Sequence, residues 1–266
     1  MKNLNIAFVG GGNMAEAMIA GLIRAGHRQD AIMVAEPNAD RRTWLRDAYK
    51  VRVTDDNRQA MEADIVVLAV KPQQVRQALS GISDLLGMEQ ILLSIVAGVS
   101  TDRLREMVGD AVQLVRVMPN TPALVGAGIS ALYSEGDENC RRRAEYLMRA
   151  CGETLWVSQE KDLHAVTAVS GSGPAYFFLL AELLAGAGQS LGLSAETAAR
   201  LATHTALGAG RMLVESGRTP SELRQQVTSP NGTTQAALDV MYEQGLPEIV
   251  RSAVAAAAKR SVELGS

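Results

Sequence analysis

"AFVGGGNMAEAMIAGLIRAG", residues 7–26, runs from a short apolar segment through three glycines into a stretch whose apolar side chains recur at helical spacing. Gly10, Gly12 and Ala15 form G-x-G-x-x-A at the junction of a predicted strand and a predicted helix. The first glycine permits a tight turn, the second lets a pyrophosphate come against the backbone, and the small third residue lets helix and strand pack closely. Such a pattern is weak in isolation. Here it opens a series in which short apolar runs alternate with helical patterns: "LNIAFVG", "AIMVAEP", "VRVT", "DIVVLAV", "ILLSIVAG", "QLVRVMP", "ISALY" and "ETLWVS". Strands alternating with helices of this length predict βαβ units and a mostly parallel sheet.

After Trp156 and Val157 the strand patterns stop, and from about Leu163 the text is Ala-, Leu- and Gly-rich with helical periodicity. The fold class expected is α/β: a dinucleotide-binding Rossmann domain over 1–158 and an all-helical domain over 159–266. The helical breaks carry end signals: Gly192 then Ser194 with Glu196 nearby, Gly217 then Pro220 with Ser221, and Gly245 before Pro247. Small residues on so many helix faces permit close backbone approach, and "AVAAAA" buries little alone. Helices this thin predict packing against a second copy, so the chain is expected to be a homo-oligomer, at least a dimer.

The bulk numbers exclude several classes. With 266 residues, 47% hydrophobic and 21% charged, the chain can bury a sizeable core. Its formal net charge of -3 carries no basic excess to neutralise phosphates, which favours a small metabolite over nucleic acid as partner. The longest apolar run, "AYFFLLAELLAGAG", is broken by Glu182 and falls short of the about 18 residues a membrane span requires, so no membrane is expected. The opening "MKNLNIAFVGGG" reads as a first buried strand rather than a secretory signal. Cys140 and Cys151 lack metal-ligand spacing and predict reduced thiols in a cytoplasmic protein without a metal site.

The second strand pattern ends at Glu36, about 20 residues beyond the glycines, where an acid accepts from the adenine ribose 2′-OH of NAD. Beside it stand Asn38, Arg41 and Arg42. Guanidiniums next to the ribose are the means of holding the 2′-phosphate of NADP, so the two signals conflict at one position, and a solvated first helical turn would explain the arginines equally well. Two further predicted strand ends, "LAVKPQQV" and "SIVAGVS", lie where ligands of doubly wound sheets bind.

Reduction of a carbonyl to an alcohol needs a strong acid nearby, commonly His or Lys. The chain has three histidines, His27, His164 and His204, none embedded in a motif, and no lysine between Lys161 and Lys259. The polar text of the helical half is hydroxyl and amide instead. "VTSPNGTTQAALDV", residues 227–240, concentrates Ser229, Asn231, Gly232, Thr233 and Thr234 at one helix entrance, more than a single N-cap requires. A helix N-terminus with free amides is also an anion site. Such a site suits an imine that is already basic and carries a carboxylate.

With "FVGGGNMAEA", "LAVKPQ", "SIVAG", "RVMPNTPALVGAG", "TAVSGSGPAYFF" and "VTSPNGTTQAAL" in this order along its whole length, the chain resembles the pyrroline-5-carboxylate reductases. The resemblance implies reduction of 1-pyrroline-5-carboxylate to L-proline, the last step of proline biosynthesis, with NADP or NAD as cofactor. It also implies a helical dimerisation domain that contributes to the active site. On matching positions, Gly10, Gly11, Gly12, Asn13, Met14 and Ala15 hold the pyrophosphate; Glu36, Pro37 and Asn38 form the 2′-phosphate loop; Asn57 lies near the adenosine. Ala69, Val70, Lys71, Pro72, Ala97 and Gly98 line the dinucleotide toward the nicotinamide. Ser229, Gly232, Thr233 and Thr234 seat the substrate carboxylate, Thr234 is the proton donor to the ring nitrogen, and Glu160 is a substrate-facing carboxylate by a looser match. Two departures stand out: Asn231 where glycine is commonest, tolerable because Asn adopts the left-handed backbone, and His164 where an acid is usual. A reductase of another cyclic imino acid, and a dinucleotide-binding protein without turnover, stay open beside this reading.

Overall fold

The computed structural model describes residues 1–265. Its first strand, β1 (Ile6–Val9), is buried throughout, and α1 (Asn13–Arg24) follows directly from the glycine turn. Then come β2 (Ile32–Ala35), α2 (Ala39–Tyr49), β3 (Arg52–Thr54), β4 (Ile65–Leu68), α3 (Val75–Leu79), β5 (Ile91–Ser94), α4 (Thr101–Val108) and β6 (Gln113–Met118). After β6 the chain adds β7 (Gly128–Tyr133), α5 (Glu138–Arg149) and β8 (Gly152–Trp156). All eight predicted strands are present, in one sheet of order β3-β2-β1-β4-β5-β6-β7-β8.

The first six strands are parallel and reverse order about β1 and β4, the doubly wound arrangement that places ligands at the strands' carboxyl ends. β7 runs antiparallel to β6, and β8 runs parallel to β7. Period-2 alternation divides the core between the two sheet faces. Ile6, Phe8, Ile65, Val67, Ile91 and Leu93 join one apolar cluster, whereas Ala7, Val9, Val66, Leu68 and Leu92 join the other. Helices cover both faces, so these strands carry continuous apolar runs instead of a polar alternate face.

The expected boundary near residue 158 lies earlier than the division in the structure. One compact unit comprises residues 1–171 with 257–265, and the other is Ser172–Ala256. The helix α6 (Asp162–Val166) and the π-helical turn Thr167–Gly171 remain with the sheet because Leu163 and Ala168 are buried there. A helical period marks the element but not the layer on which it packs.

In the helical unit, α7 (Gly173–Ser190) packs on α8 (Ala195–Glu215), and an added Cβ at Gly188 would lie 3.3 Å from the Ala198 Cβ. Gly188 therefore serves close approach, whereas an added Cβ at Gly186, Gly208 or Gly210 would meet nothing within 4 Å. Ser194 caps α8, and Thr219, with Glu222, forms a reciprocal capping box on α9 (Pro220–Gln226). Gly192, Gly217 and Gly245 all have positive φ at the breaks. The unit continues through α10 (Thr233–Glu243) into α11 (Leu246–Gly265).

The expectation that no apolar stretch reaches membrane-spanning length is corrected by the structure. The helical run Asp162–Ser190 is 29 residues long with mean hydropathy 1.3 over its most apolar window, enough to cross a membrane by length and composition. Glu182 interrupts the apolar run of the sequence, but one carboxylate on a continuous helix does not end it. Phe177, Phe178, Leu179 and Leu183 on α7 are exposed in the single chain.

Candidate active site

At the end of β1, Gly10 has φ +100°, and a Cβ there would lie 2.5 Å from the Ala69 carbonyl oxygen. Only glycine fits both the conformation and the space. A Cβ on Gly11 would meet the Leu45 side chain at 2.7 Å. Gly12 is different: it is the N-cap of α1, makes no side-chain cap, and a Cβ on it would meet nothing within 4 Å. The first-turn amides of α1, those of Asn13, Met14 and Ala15, therefore have no side-chain cap at the positive end of the helix, and the space beside Gly12 is open. That cradle fits a pyrophosphate.

Glu36 braces this turn. One carboxylate oxygen accepts from Gly11 N (2.9 Å) and the other from Asn38 N (3.0 Å). Asn38 caps α2 by accepting from Arg41 N. Arg41 donates to the Gly11 carbonyl and to Glu16, both at 2.6 Å, and Glu16 also accepts from Trp44 and Tyr49. Burial works to raise the Glu16 carboxyl, but the bonds from Tyr49, Arg41 and Trp44 outweigh it and hold it below its ordinary value. Arg42 donates to the carbonyls of Glu36 (2.7 Å) and Pro37 (2.8 Å) and lies 3.4 Å from Asp55. Both arginines thus have protein partners, neither a free phosphate clamp nor a purely solvated turn. This follows from folding β1, β2 and α2 together, which spacing alone does not disclose.

A cavity of about 440 Å³ gathers Gly10, Gly11, Gly12, Glu36, Pro37, Asn57, Ala69, Val70 and Lys71 at the carboxyl ends of the central strands. Asn57 is oriented by donating to the Ala78 carbonyl at 3.2 Å. Asn13, Met14, Ala15, Asn38, Pro72, Ala97 and Gly98 do not line it. Val9, Ala35, Asp55, Gln74, Gln77 and Ala78 do, and sequence reading missed them. Asp55 directly follows β3, so the strand-end rule applied to that short strand would have found it. Gly98 lies in the turn after β5 with φ +77°, where a Cβ would fall 2.7 Å from the Leu264 carbonyl oxygen near the C-terminus.

Glu160 is positioned differently from the expectation of a substrate-facing carboxylate. Its Oε1 accepts from Thr101 N and Arg116 Nη1, both at 2.8 Å, and its Oε2 accepts from Thr101 Oγ1 at 2.6 Å. Burial raises its pKa, but Thr101 and Arg116 more than reverse this, so the group stays ionised below the ordinary carboxylate range. The histidines likewise have structural settings. His27 is buried with Nδ1 2.9 Å from the Tyr146 hydroxyl, and His164 lies 2.9 Å from Ser261 Oγ. His204 is exposed on α8. Cys140 and Cys151 are buried free thiols; burial pushes Cys151 up to about 12. Among the described residues no group of His, Cys, Asp and Glu could hold a metal.

In the helical unit, the turn before α10 holds Asn231 at φ +59°, the left-handed conformation expected of it. Gly232 is the N-cap of α10 and makes no side-chain cap. The hydroxyls of Ser229, Thr233 and Thr234 therefore do not cap α10, which removes the plainest reason for their presence. A Cβ on Gly232 would collide with the Ser229 hydroxyl, which would have to turn away, and would lie 3.0 Å from the Ser229 carbonyl oxygen. Thr233 is exposed and Thr234 half-buried at the first turn. This is a second glycine-capped helix N-terminus, and here it is flanked by hydroxyls.

A doubly wound parallel sheet with a glycine cradle at its switch point, followed by a helical unit with its own glycine-capped helix end, defines a dinucleotide-dependent oxidoreductase. Residues 5–98 match the family described as NADP oxidoreductase coenzyme F420-dependent, and residues 160–264 match pyrroline-5-carboxylate reductase dimerisation. A pyrroline-5-carboxylate reductase of Pseudomonas aeruginosa is 43% identical over 99% of this chain and 98% of its own length. The solved structure of a pyrroline-5-carboxylate reductase from Coxiella burnetii is 41% identical, with a TM-score of 0.95 over 99% of both chains. A Plasmodium falciparum pyrroline carboxylate reductase, solved with NADP bound, is 31% identical with a TM-score of 0.87 over 100% of both chains. The chain belongs to the pyrroline-5-carboxylate reductase family.

Proposed function

We propose that this protein reduces 1-pyrroline-5-carboxylate to L-proline, with NADPH as hydride donor and NADH accepted. The observation that carries the reading is the start of α10: a helix N-terminus capped by glycine, entered through a left-handed Asn231, with hydroxyls that do no capping. The free amides of that first turn bind the substrate carboxylate, and Ser229 and Thr233 border it. Thr234 hydrogen-bonds the ring nitrogen and passes it a proton as the neighbouring ring carbon accepts hydride, drawing its own replacement from water. An imine nitrogen is basic enough for this weak acid to suffice, consistent with the structural partners of His27 and His164.

In the sheet unit, Gly10 to Ala15 hold the pyrophosphate, Glu36 to Asn38 border the adenine ribose, and Asn57 faces the adenosine. Ala69 to Pro72, Ala97 and Gly98 follow the dinucleotide toward its nicotinamide. When bound, the cofactor supplies the hydride. The exposed apolar surface of α7 is buried against a second copy rather than in a bilayer, and the protein works in the cytoplasm as a homodimer or a multiple of it. The test is the loss of NADPH absorbance on adding 1-pyrroline-5-carboxylate, with the six-membered ring imine in parallel. Turnover confined to the larger ring, or absent with both, would overturn the assignment.

A further inference from the structure

We propose that Glu160 is a positioning residue for the nicotinamide end of the cofactor site: it acts through Thr101 on the Ala97–Gly98 turn and does not touch the substrate. The inference rests on the dinucleotide reading of the cavity. That cavity is lined from the carboxyl ends of β2 and β3, through the β1 glycine turn, to Ala69 and Val70 after β4. The next carboxyl end in the sheet is that of β5, so a ligand that continues past β4 reaches the turn over residues 95–100. Within it Ala97 is exposed and Gly98 buried.

Two contacts hold this turn. On one side the C-terminal turn of α11 stands against Gly98, leaving no room for a Cβ. On the other, Thr101 is the first residue of α4, and its N–H is one of the donors a helix cannot satisfy internally. Glu160, 59 positions away, accepts that N–H and the Thr101 hydroxyl together. Arg116, buried on β6, neutralises the carboxylate at 2.8 Å. Three of the carboxylate's roughly four acceptor sites are thus taken by protein groups, and its side chain is only 19% exposed. It anchors the exit of the turn to β6. Ser100, the cap of α4, accepts from Arg103 and supplies only local order.

Glu160→Ala should weaken NADPH binding, read by nucleotide fluorescence without imino acid, by about tenfold. It should leave the affinity for 2′-phospho-ADP-ribose, which lacks the nicotinamide, within about twofold. General loosening of the fold would weaken both ligands alike. At saturating NADPH the imino-acid KM should stay within about twofold. Thr101→Val, which removes one of the three bonds, should give a smaller loss of the same kind and serves if Glu160→Ala does not fold. The pair combined should be no worse than Glu160→Ala alone. Unchanged NADPH affinity, equal weakening of the fragment, or a selective rise in imino-acid KM would overturn the proposal. Lack of imino-acid turnover by the wild type would refute the functional reading while leaving the binding comparison decisive.

Discussion

At residue scale the sharpest case is Thr234. It lies in the first turn of α10, does not cap it, and is half-buried. If its hydroxyl delivers the proton, Thr234→Ala should lower kcat by on the order of 10²-fold while NADPH affinity stays as in the wild type. Thr233→Ala should chiefly raise the imino-acid KM, because its backbone amide survives the change. Near-normal turnover of Thr234→Ala would transfer the proton donation to water. Glu36 is the second case. Its carboxylate accepts from Gly11 and Asn38 at the rim of the ribose position, and Arg41 and Arg42 are bonded to protein groups beside it. A negative charge there opposes a 2′-phosphate, so Glu36→Gln should raise the NADPH-to-NADH ratio of kcat/KM by about tenfold, roughly 1.4 kcal/mol of relief. Steady-state kinetics with both nucleotides decide it, and an unchanged ratio would show that Glu36 serves only to brace the turn.

At the scale of elements, the two functional helices, α1 and α10, share one device. Each begins at a glycine without a side-chain cap, which leaves the first-turn amides without a side-chain acceptor at a cost of roughly a few tenths of a kcal/mol relative to a Ser or Asp cap. The contrast lies within the same chain: α2, α4, α5, α8 and α9 are all capped by Asn, Ser, Asp or Thr side chains. The strand preceding α1 is equally constrained. Gly10→Ala would place a methyl against the Ala69 carbonyl at φ +100°, displacing β4 from β1. Melting temperature and NADPH affinity should both fall, and retention of both would mean that the turn relaxes at no cost.

At the scale of the molecule, the apolar faces of α7, α8, α10 and α11 need a partner. Leu180, Leu184, Leu207, Met212 and Ile249 are exposed in the single chain, and patches of this extent rarely stay in water. Light scattering at micromolar concentration should give at least twice the 28.3 kDa of one chain. An active species of 28.3 kDa would disprove the pairing and with it the explanation of the apolar α7 surface.

All eight strands, the glycine turn, the helix breaks and the left-handed Asn231 were legible in the sequence, because each depends on local sterics or on a period of side chains. The order of the alternating units and the six motifs carried the fold class and the cofactor cradle as well. Other features depended on groups far apart in the chain. β7 runs antiparallel to β6, and α6 with residues 257–265 belongs to the sheet unit; no local pattern encodes either. Only folding set Arg41 against Gly11 and Glu16, and Glu160 against Thr101 and Arg116, pairs 25 to 59 positions apart. A residue's charge and shape are local and can be read from sequence. Whether a charge meets solvent, ligand or an opposite charge depends on which elements the packed core brings beside it, and that was decided by tertiary structure alone.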